Sequence, residues 1–406
     1  MKQPNKKKDN QWTRPRHRIV RNILSATLGV YSRIKYGIRV EKYKDGGKRP
    51  YLILFNHQTA FDQFFVGMAF DQAVYYVASE DLFSNGFVSK VIKYLVAPIP
   101  IKKQTTDMRA ILNCIKVSRE GGTIAIAPEG NRTYSGRTEY MNPAIVPLVK
   151  KLQMPVALFR IEDGYGVQPR WSDVVRRGKM RAYVSRVIEP EECASLSNDE
   201  LFEIIQKELY VNEAVSDGEF RHKKTAEYLE RAIYVCPTCG LSEFESRKSI
   251  IECKKCHCRV RYLPNKQLRG EGADFPFPYV LNWYDYQSDF INALSLDAYA
   301  DAPMYQEPIA LSEVIPYDRK VKLDPRATVA LYGNRLCISG SASYDMSFDE
   351  IAAITVLGRN KLNVYYGGKI YQIKGDKRFN AIKYVQIYHR YKNIQSKEEN
   401  ATFLGL

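Results

Sequence analysis

The stretch "YLILFNHQTAFD", Tyr51–Asp62, sets a short run of large apolar residues directly before a histidine and an aspartate. An uninterrupted apolar run of this length reads as a strand buried on both faces, as in sheets covered by helices. Asn56 ends the run, so His57 emerges at the strand's C-terminal edge, where ligands bind in open α/β sheets. Asp62 lies five residues on, within reach if the chain turns into a helix between them. A carboxylate on one imidazole nitrogen fixes the tautomer and supports the cation formed when the other nitrogen takes a proton. Such a pair suits deprotonation of a hydroxyl that attacks an acyl group. Taken alone, one histidine and one aspartate at this spacing are more often a satisfied structural pair.

Working outward, short apolar runs alternate with helical stretches through residues 51–190: "YLILF", "AVYYV", "APIPI", "TIAIA", "MPVALF" and "RAYVSRV". This alternation predicts an α/β sheet with helices on its faces. Between "APIPI" and "TIAIA", Thr106 and Asp107 can cap a helix carrying Ile111, Leu112 and Ile115, which stops at Gly121-Gly122. Residues 191–231 read as helical and charged.

A second stretch at the same predicted sheet edge is "TIAIAPEGNRTYSG". Its strand ends at Ala127, and Pro128-Glu129-Gly130-Asn131-Arg132 makes a tight turn. Gly130 lets the backbone turn or approach a ligand closely. Glu129 can accept from ligand hydroxyls, and the planar fork of Arg132 suits a phosphate. The bland alternative is a surface turn with a solvated ion pair.

"NHQTAFD" and "APEGNR", in this order and about 70 residues apart, resemble the first and third motifs of the glycerolipid acyltransferase family. That family includes the 1-acylglycerol-3-phosphate and related lysophospholipid acyltransferases. The first motif is intact. The second falls at "IPIKK", with Lys102 and Lys103 where the family usually has arginine. The third has alanine for phenylalanine and asparagine where threonine is common. The fourth falls near "MPVALF", with Pro155 in place and Leu158 for a second proline. The resemblance covers roughly residues 15–210. It implies that His57 is the general base and Asp62 its orienting partner. Glu129, with Gly130 beside it, would take the acceptor's glycerol part, and Arg132 with Lys102 or Lys103 its phosphate. The donor would be an acyl thioester, on coenzyme A or acyl carrier protein. The implied acceptor is 1-acyl-sn-glycerol-3-phosphate, which would give phosphatidic acid. Another lysophospholipid or glycerol-3-phosphate is the alternative acceptor.

Composition and charge fit a globular protein of several domains, with 45% hydrophobic and 26% charged residues over 406 positions. The formal charge is +16, and residues 1–50 hold 15 Lys/Arg against three acids, a net +12. A localised basic block predicts a polyanionic partner, either an anionic lipid surface or nucleic acid. Residues 1–14 read as a basic disordered arm. From His17 to Ile34, Val20, Leu24, Tyr31 and Ile34 fall at helical spacing, joined by Ile23 and Val30. Arg16, Arg18, Arg21, Arg33 and Lys35 flank them. This predicts an amphipathic helix lying on a membrane surface, or a helix packed on its own domain. The longest early uncharged run, Asn22–Ser32, is short of the roughly 20 residues that span a bilayer. The expectation is therefore peripheral binding at the cytoplasmic face without a transmembrane span.

Five of the eight cysteines crowd into "CPTCGLSEFESRKSIIECKKCHC". Cys236 and Cys239 form one CxxC knuckle, and Cys253 and Cys256 form another after 13 intervening residues. Paired knuckles at this spacing predict a zinc ribbon in which four thiolates hold one tetrahedral structural Zn2+. His257 or Cys258 could replace Cys256. Past an aromatic and proline-rich stretch, β-type runs alternate with turn signals at Gly333-Asn334 and Gly367-Gly368. A helical pattern through Phe379, Ile382, Val385 and Tyr388 closes the chain, resembling a PH-like or GRAM-like barrel.

The expected fold class is α/β, an acyltransferase sheet with helices on its faces, followed by a small zinc ribbon and a mostly-β PH-like domain. Its expected divisions are the arm at 1–14, the acyltransferase domain at 15–231, the ribbon at 232–264, a linker at 265–320 and the β domain at 321–396. The rival is an inactive binding protein whose ribbon and basic arm contact a membrane or nucleic acid. Against it, His57, Asp62, Glu129 and Arg132 have no use in binding nucleic acid, and the basic block borders the acyltransferase half.

Overall fold

The computed structural model describes residues 12–44, 49–102, 107–396 and 401–405. Lys103 and Thr106, and most of the basic arm, lie outside the described residues. The chain divides into two compact units. The first comprises residues 1–130, 138–162 and 180–211; the second comprises 131–137, 163–179 and 212–406.

The first unit is built on a seven-stranded sheet. Its strands are β1 (Ile38–Val40), β2 (Leu52–Phe55), β3 (Val74–Ser79), β4 (Ile99–Ile101), β5 (Thr123–Ile126), β6 (Val156–Glu162) and β7 (Met180–Ile188), in the order β1-β7-β6-β2-β5-β3-β4. All six apolar runs form strands. Only the β6–β7 pair is antiparallel, and β2 lies parallel to both β5 and β6. The four residues of β2 are fully buried. Leu52 and Leu54 join the core under the helices α4 (Met108–Arg119), α5 (Ile145–Leu152), α7 (Pro190–Ser195) and α8 (Asn198–Leu209). On the opposite face lie α1 (Pro15–Tyr36) and α2 (Asp62–Ala69), where Tyr36 rings meet Phe61 and Phe65 at 5.0 and 5.7 Å. Between β3 and β4 runs α3 (Phe87–Val96).

Local chemistry explains the helix ends. Pro15 starts α1, where its missing N–H is no loss, and Gly37 closes it in the left-handed conformation with its N–H on the Arg33 carbonyl. Asp107 caps α4, accepting from the N–H groups of Arg109 and Ala110. Ser197 and Glu200 form a capping box that starts α8. The helical reading of 191–231 holds only to Leu209; beyond it the chain is irregular apart from one short turn at Leu229–Arg231.

The second unit contains the short α6 (Gly164–Val167) and the cysteine-rich module. In that module β8 (Val235–Cys236) pairs with β9 (Gly240–Leu241). A four-stranded sheet follows, in the order β10 (Phe244–Arg247), β11 (Ile250–Cys253), β12 (Arg259–Tyr262), β13 (Leu268–Gly270). After α9 (Val280–Ala293) comes a seven-stranded antiparallel sheet: β14 (Tyr305–Ile315), β15 (Arg319–Leu331), β16 (Arg335–Ser339), β17 (Tyr344–Ser347), β18 (Ile351–Leu357), β19 (Lys361–Tyr366) and β20 (Lys369–Lys374). Their order is β17-β16-β15-β14-β20-β19-β18, and α10 (Ile382–Ser396) buries Ile382, Tyr384, Val385, Ile387 and Tyr388. This antiparallel sheet with its closing helix is compatible with the PH-like expectation. Gly367 and Gly368, both at positive φ, make the β19–β20 hairpin turn that their sequence signals.

The stretch read as a linker at 265–320 carries regular structure: β13 and α9, then β14, the first strand of the large sheet. Pro308 obscured β14, because proline lacks the N–H a central strand needs. Here it pairs only with Thr328 of β15, and pairing with β20 begins two residues later at Ala310.

Candidate functional site

The strand β2 ends at Phe55, and the next residue extends its pairing by a side chain. Asn56 is fully buried; its Oδ1 accepts from the Ile161 N–H of β6 at 2.7 Å and its Nδ2 donates to the Ile161 carbonyl at 2.8 Å. The amide thus mimics a backbone unit and pins the exit of β2 to its neighbour. Sequence reasoning gave Asn56 only the role of ending the strand.

His57 follows with its side chain 28% exposed, and its Nδ1 lies 2.7 Å from Oδ2 of the fully buried Asp62. Three further donors surround that carboxylate. The Gln58 N–H reaches Oδ2 at 2.6 Å, the Thr59 N–H lies 2.9 Å from both oxygens, and the Thr59 hydroxyl donates to Oδ1 at 2.7 Å. The Thr59 hydroxyl also receives the Phe61 N–H at 3.0 Å, which settles its direction. An ionised carboxylate can only accept, so the network assigns the bonding proton to His57 Nδ1 and leaves Nε2 as the acceptor. Asp62 is also the first residue of α2, where a negative charge is favoured by the helix dipole. The sequence signal for this lock was Thr59-Ala60-Phe61-Asp62, a hydroxyl residue three positions before an acid at a helix start.

Glu129 joins the pair from the turn after β5. Its Oε1 accepts the backbone N–H of His57 at 2.9 Å, so one oxygen is committed to positioning the histidine's loop. The residue is partly exposed, yet its carboxyl is surrounded by protein. Burial raises its pKa to about 8, the His57 N–H opposes the rise, and the neighbouring charges of Asp62 and Glu139 add to it. Gly130 follows at φ +69°, its N–H on the Ala127 carbonyl. An added Cβ there would meet open space, so the backbone conformation alone calls for glycine.

His57, Asp62 and Glu129 are therefore together in the first unit. Lys102 stands exposed after β4, its N–H on the Asp107 carboxylate at 2.9 Å. Arg132 belongs to the second unit, where its carbonyl accepts from Arg170 Nη1 at 2.8 Å.

The second unit carries a separate constellation. The thiols of Cys236, Cys239, Cys253 and Cys256 all lie within 4.8 Å of one another. Four sulfurs about 2.3 Å from a tetrahedral zinc stand roughly 3.8 Å apart, so this donor set fits a metal ion. His257 is turned outward at positive φ, its ring 3.0 Å from Glu252. Cys258 lies outside the four-thiol group, and its carbonyl accepts the Cys253 N–H. Of the alternatives, the group thus includes Cys256.

Residues 35–161 match the model of the Acyltransferase family, less than half of the chain and the part that holds β1 to β6 with His57, Asp62 and Glu129. No curated protein matches the sequence. Among solved structures, the chain is similar to the 1-acyl-sn-glycerophosphate (LPA) acyltransferase PlsC from Thermotoga maritima. The two are 19% identical with a TM-score of 0.41 over 48% of this chain and 78% of that one.

Proposed function

We propose that this protein is an O-acyltransferase that moves a fatty acyl group from an acyl thioester to the free hydroxyl of 1-acyl-sn-glycerol-3-phosphate. The observation that carries the reading is the His57–Asp62 pair at the C-terminal edge of β2, tied to Glu129 inside the segment that matches the Acyltransferase model. In the proposed step, His57 Nε2 takes the proton of the acceptor hydroxyl as its oxygen bonds to the thioester carbonyl carbon. The carbon–sulfur bond then breaks, and the departing thiolate of coenzyme A or acyl carrier protein recovers the proton from the imidazolium. Asp62 holds the tautomer and supports the transient cation. Arg132 with Lys102 and Lys103 are assigned to the acceptor phosphate, and Glu129 with Gly130 to its glycerol part, on the family resemblance of their motifs.

The four cysteines are assigned one structural Zn2+, since four thiolates leave no coordination position open. The C-terminal sheet is read as a PH-like domain. No helix among the described residues is long and apolar enough to cross a membrane. The basic, amphipathic α1 is assigned to peripheral docking on an anionic membrane, at its cytoplasmic face. Ile19, Ile23, Val30, Tyr31 and Ile34 of α1 stand exposed, while its other side buries His17, Gly29, Ser32 and Tyr36 against the first unit. The buried face is that of a helix packed on its own domain, and the exposed apolar residues support the proposed docking.

The test is an acceptor panel. Purified protein is given an acyl-CoA or acyl carrier protein donor with 1-acylglycerol-3-phosphate, glycerol-3-phosphate or a zwitterionic lysolipid. Fastest esterification of 1-acylglycerol-3-phosphate is expected. Transfer to none of them with either donor would sink the reading.

A further inference from the structure

An amphipathic helix ordinarily turns its apolar stripe to the core, and α3 does the reverse. Phe87, Val88, Val91, Tyr94 and Leu95 are spaced i, i+1, i+4, i+7 and i+8, about a 120° arc at 100° per residue. All five are exposed: Phe87 at 79%, Val88 at 58% and Tyr94 at 60%. The buried residue of this helix is Ser89, which bonds to the Leu82 carbonyl and receives the Asn85 N–H. Five large apolar side chains on ten residues therefore face outward, while Ser89 is buried and Ile92 and Val96 are half-buried.

A similar stripe lies on α1, with Ile34 81% exposed. The two helices meet within the first unit. The Arg16 guanidinium stacks 4.1 Å from the Tyr94 ring and donates to the Tyr94 carbonyl at 3.0 Å, and Trp12 Nε1 reaches the Ala97 carbonyl. Neither helix contains an acidic residue; α1 carries Arg16, Arg18, Arg21, Arg33 and Lys35, and α3 carries the exposed Lys90 and Lys93.

We infer that α3 is a second lipid-docking element, inserting its outward stripe into an anionic bilayer beside α1. This rests on the membrane reading of α1 and extends it to a helix between two strands of the catalytic sheet. Two observations favour a bilayer as the occupant: the stripes are dominated by large apolar residues, and the accompanying charge is uniformly positive. Such a combination suits the interfacial region of an anionic membrane, where apolar side chains enter the acyl boundary and Lys/Arg meet head groups. Placing α3 there also puts β4 and Lys102, which follow it, close to the surface where a lysolipid acceptor resides.

The experiment uses the full chain and sedimentation with vesicles of mixed phosphatidylglycerol and phosphatidylcholine. Phe87→Glu and Val88→Glu, both on exposed positions, should each lower the partition coefficient by about tenfold or more, since burying one such side chain is worth about that ratio. Circular dichroism and acyl transfer to a water-soluble, short-chain acceptor should stay at wild-type levels. Phe87→Trp should gain emission quenched by phospholipids brominated on their acyl chains. Unchanged partitioning of both glutamate variants, with no quenching of the tryptophan, would overturn the inference while leaving α1 docking and catalysis standing. Loss of self-association by the variants on gel filtration, with partitioning unchanged, would also overturn it by making the face an interface between copies. A wild-type protein that acylates nothing would instead sink the acyltransferase reading, whatever its vesicle binding.

Discussion

In the proposed reaction His57 acts as a base only while Nε2 faces the acceptor, and at the residue scale the bond between Asp62 and Nδ1 serves that end. Asp62→Asn keeps the shape but replaces an acceptor-only group by an amide, which can present a donor to Nδ1 and favour the wrong tautomer. Turnover should fall by roughly 10²-fold, within the range of general-base effects, with the acceptor KM nearly unchanged. A large rise in KM with turnover intact would show that Asp62 serves binding instead. Glu129 has a thermodynamic signature as well. Its folded pKa of about 8 lies above the ordinary 4.5. A raised pKa means that the folded state holds the proton more tightly, so this group's stabilising contribution is full below about 4.5 and is lost as pH rises through about 8. Glu129→Gln, which does not titrate, should flatten the dependence of the denaturation midpoint on pH across that window. Profiles of equal slope would contradict the burial of this carboxyl. Of this site, the pairing of His57 with Asp62 was legible from the motif. The bond from the His57 N–H to Glu129 was not, because it joins residues 72 positions apart and no local spacing encodes it.

At the scale of elements, β2 matters because it sits between β5 and β6 and delivers His57 to the sheet edge. Asn56 locks that delivery. Asn56→Leu would leave the N–H and carbonyl of Ile161 buried without their side-chain partner, costing about 1–3 kcal/mol per group, and would release the loop that carries His57. Urea denaturation should therefore show a lower midpoint together with reduced turnover. An unchanged midpoint would mean that water or backbone replaces the amide. The strands of the first unit were readable because each is a compact apolar run. β14 was not, because Pro308 and the charged residues Glu307 and Glu313 break the pattern in sequence while a paired sheet accommodates them in space. Periodicity likewise located the apolar stripe of α1 without deciding which way it faces, since burial depends on what the rest of the chain places against it.

At the scale of the whole molecule, the acyltransferase-like sheet and the cysteine module make separable demands. Cys236→Ser with Cys239→Ser should lose about one equivalent of zinc and lower the thermal midpoint, since metal binding contributes folding free energy directly. Metal analysis of the folded wild type giving no zinc would end that assignment. Any activity lost in this variant should follow its unfolding curve. The paired CxxC knuckles were the most legible feature of the second unit, because a tetrahedral thiolate site dictates its own spacing. The central claim is that His57 is the base of an acyl transfer, and it is tested most directly by one comparison of rates. Thiol release from an acyl-thioester donor in the presence of 1-acylglycerol-3-phosphate is measured for the wild type and for His57→Ala at equal folded concentration. The account predicts acceptor-dependent release by the wild type and a loss on the order of 10²–10⁴-fold in the variant. Wild-type rates in His57→Ala would contradict it.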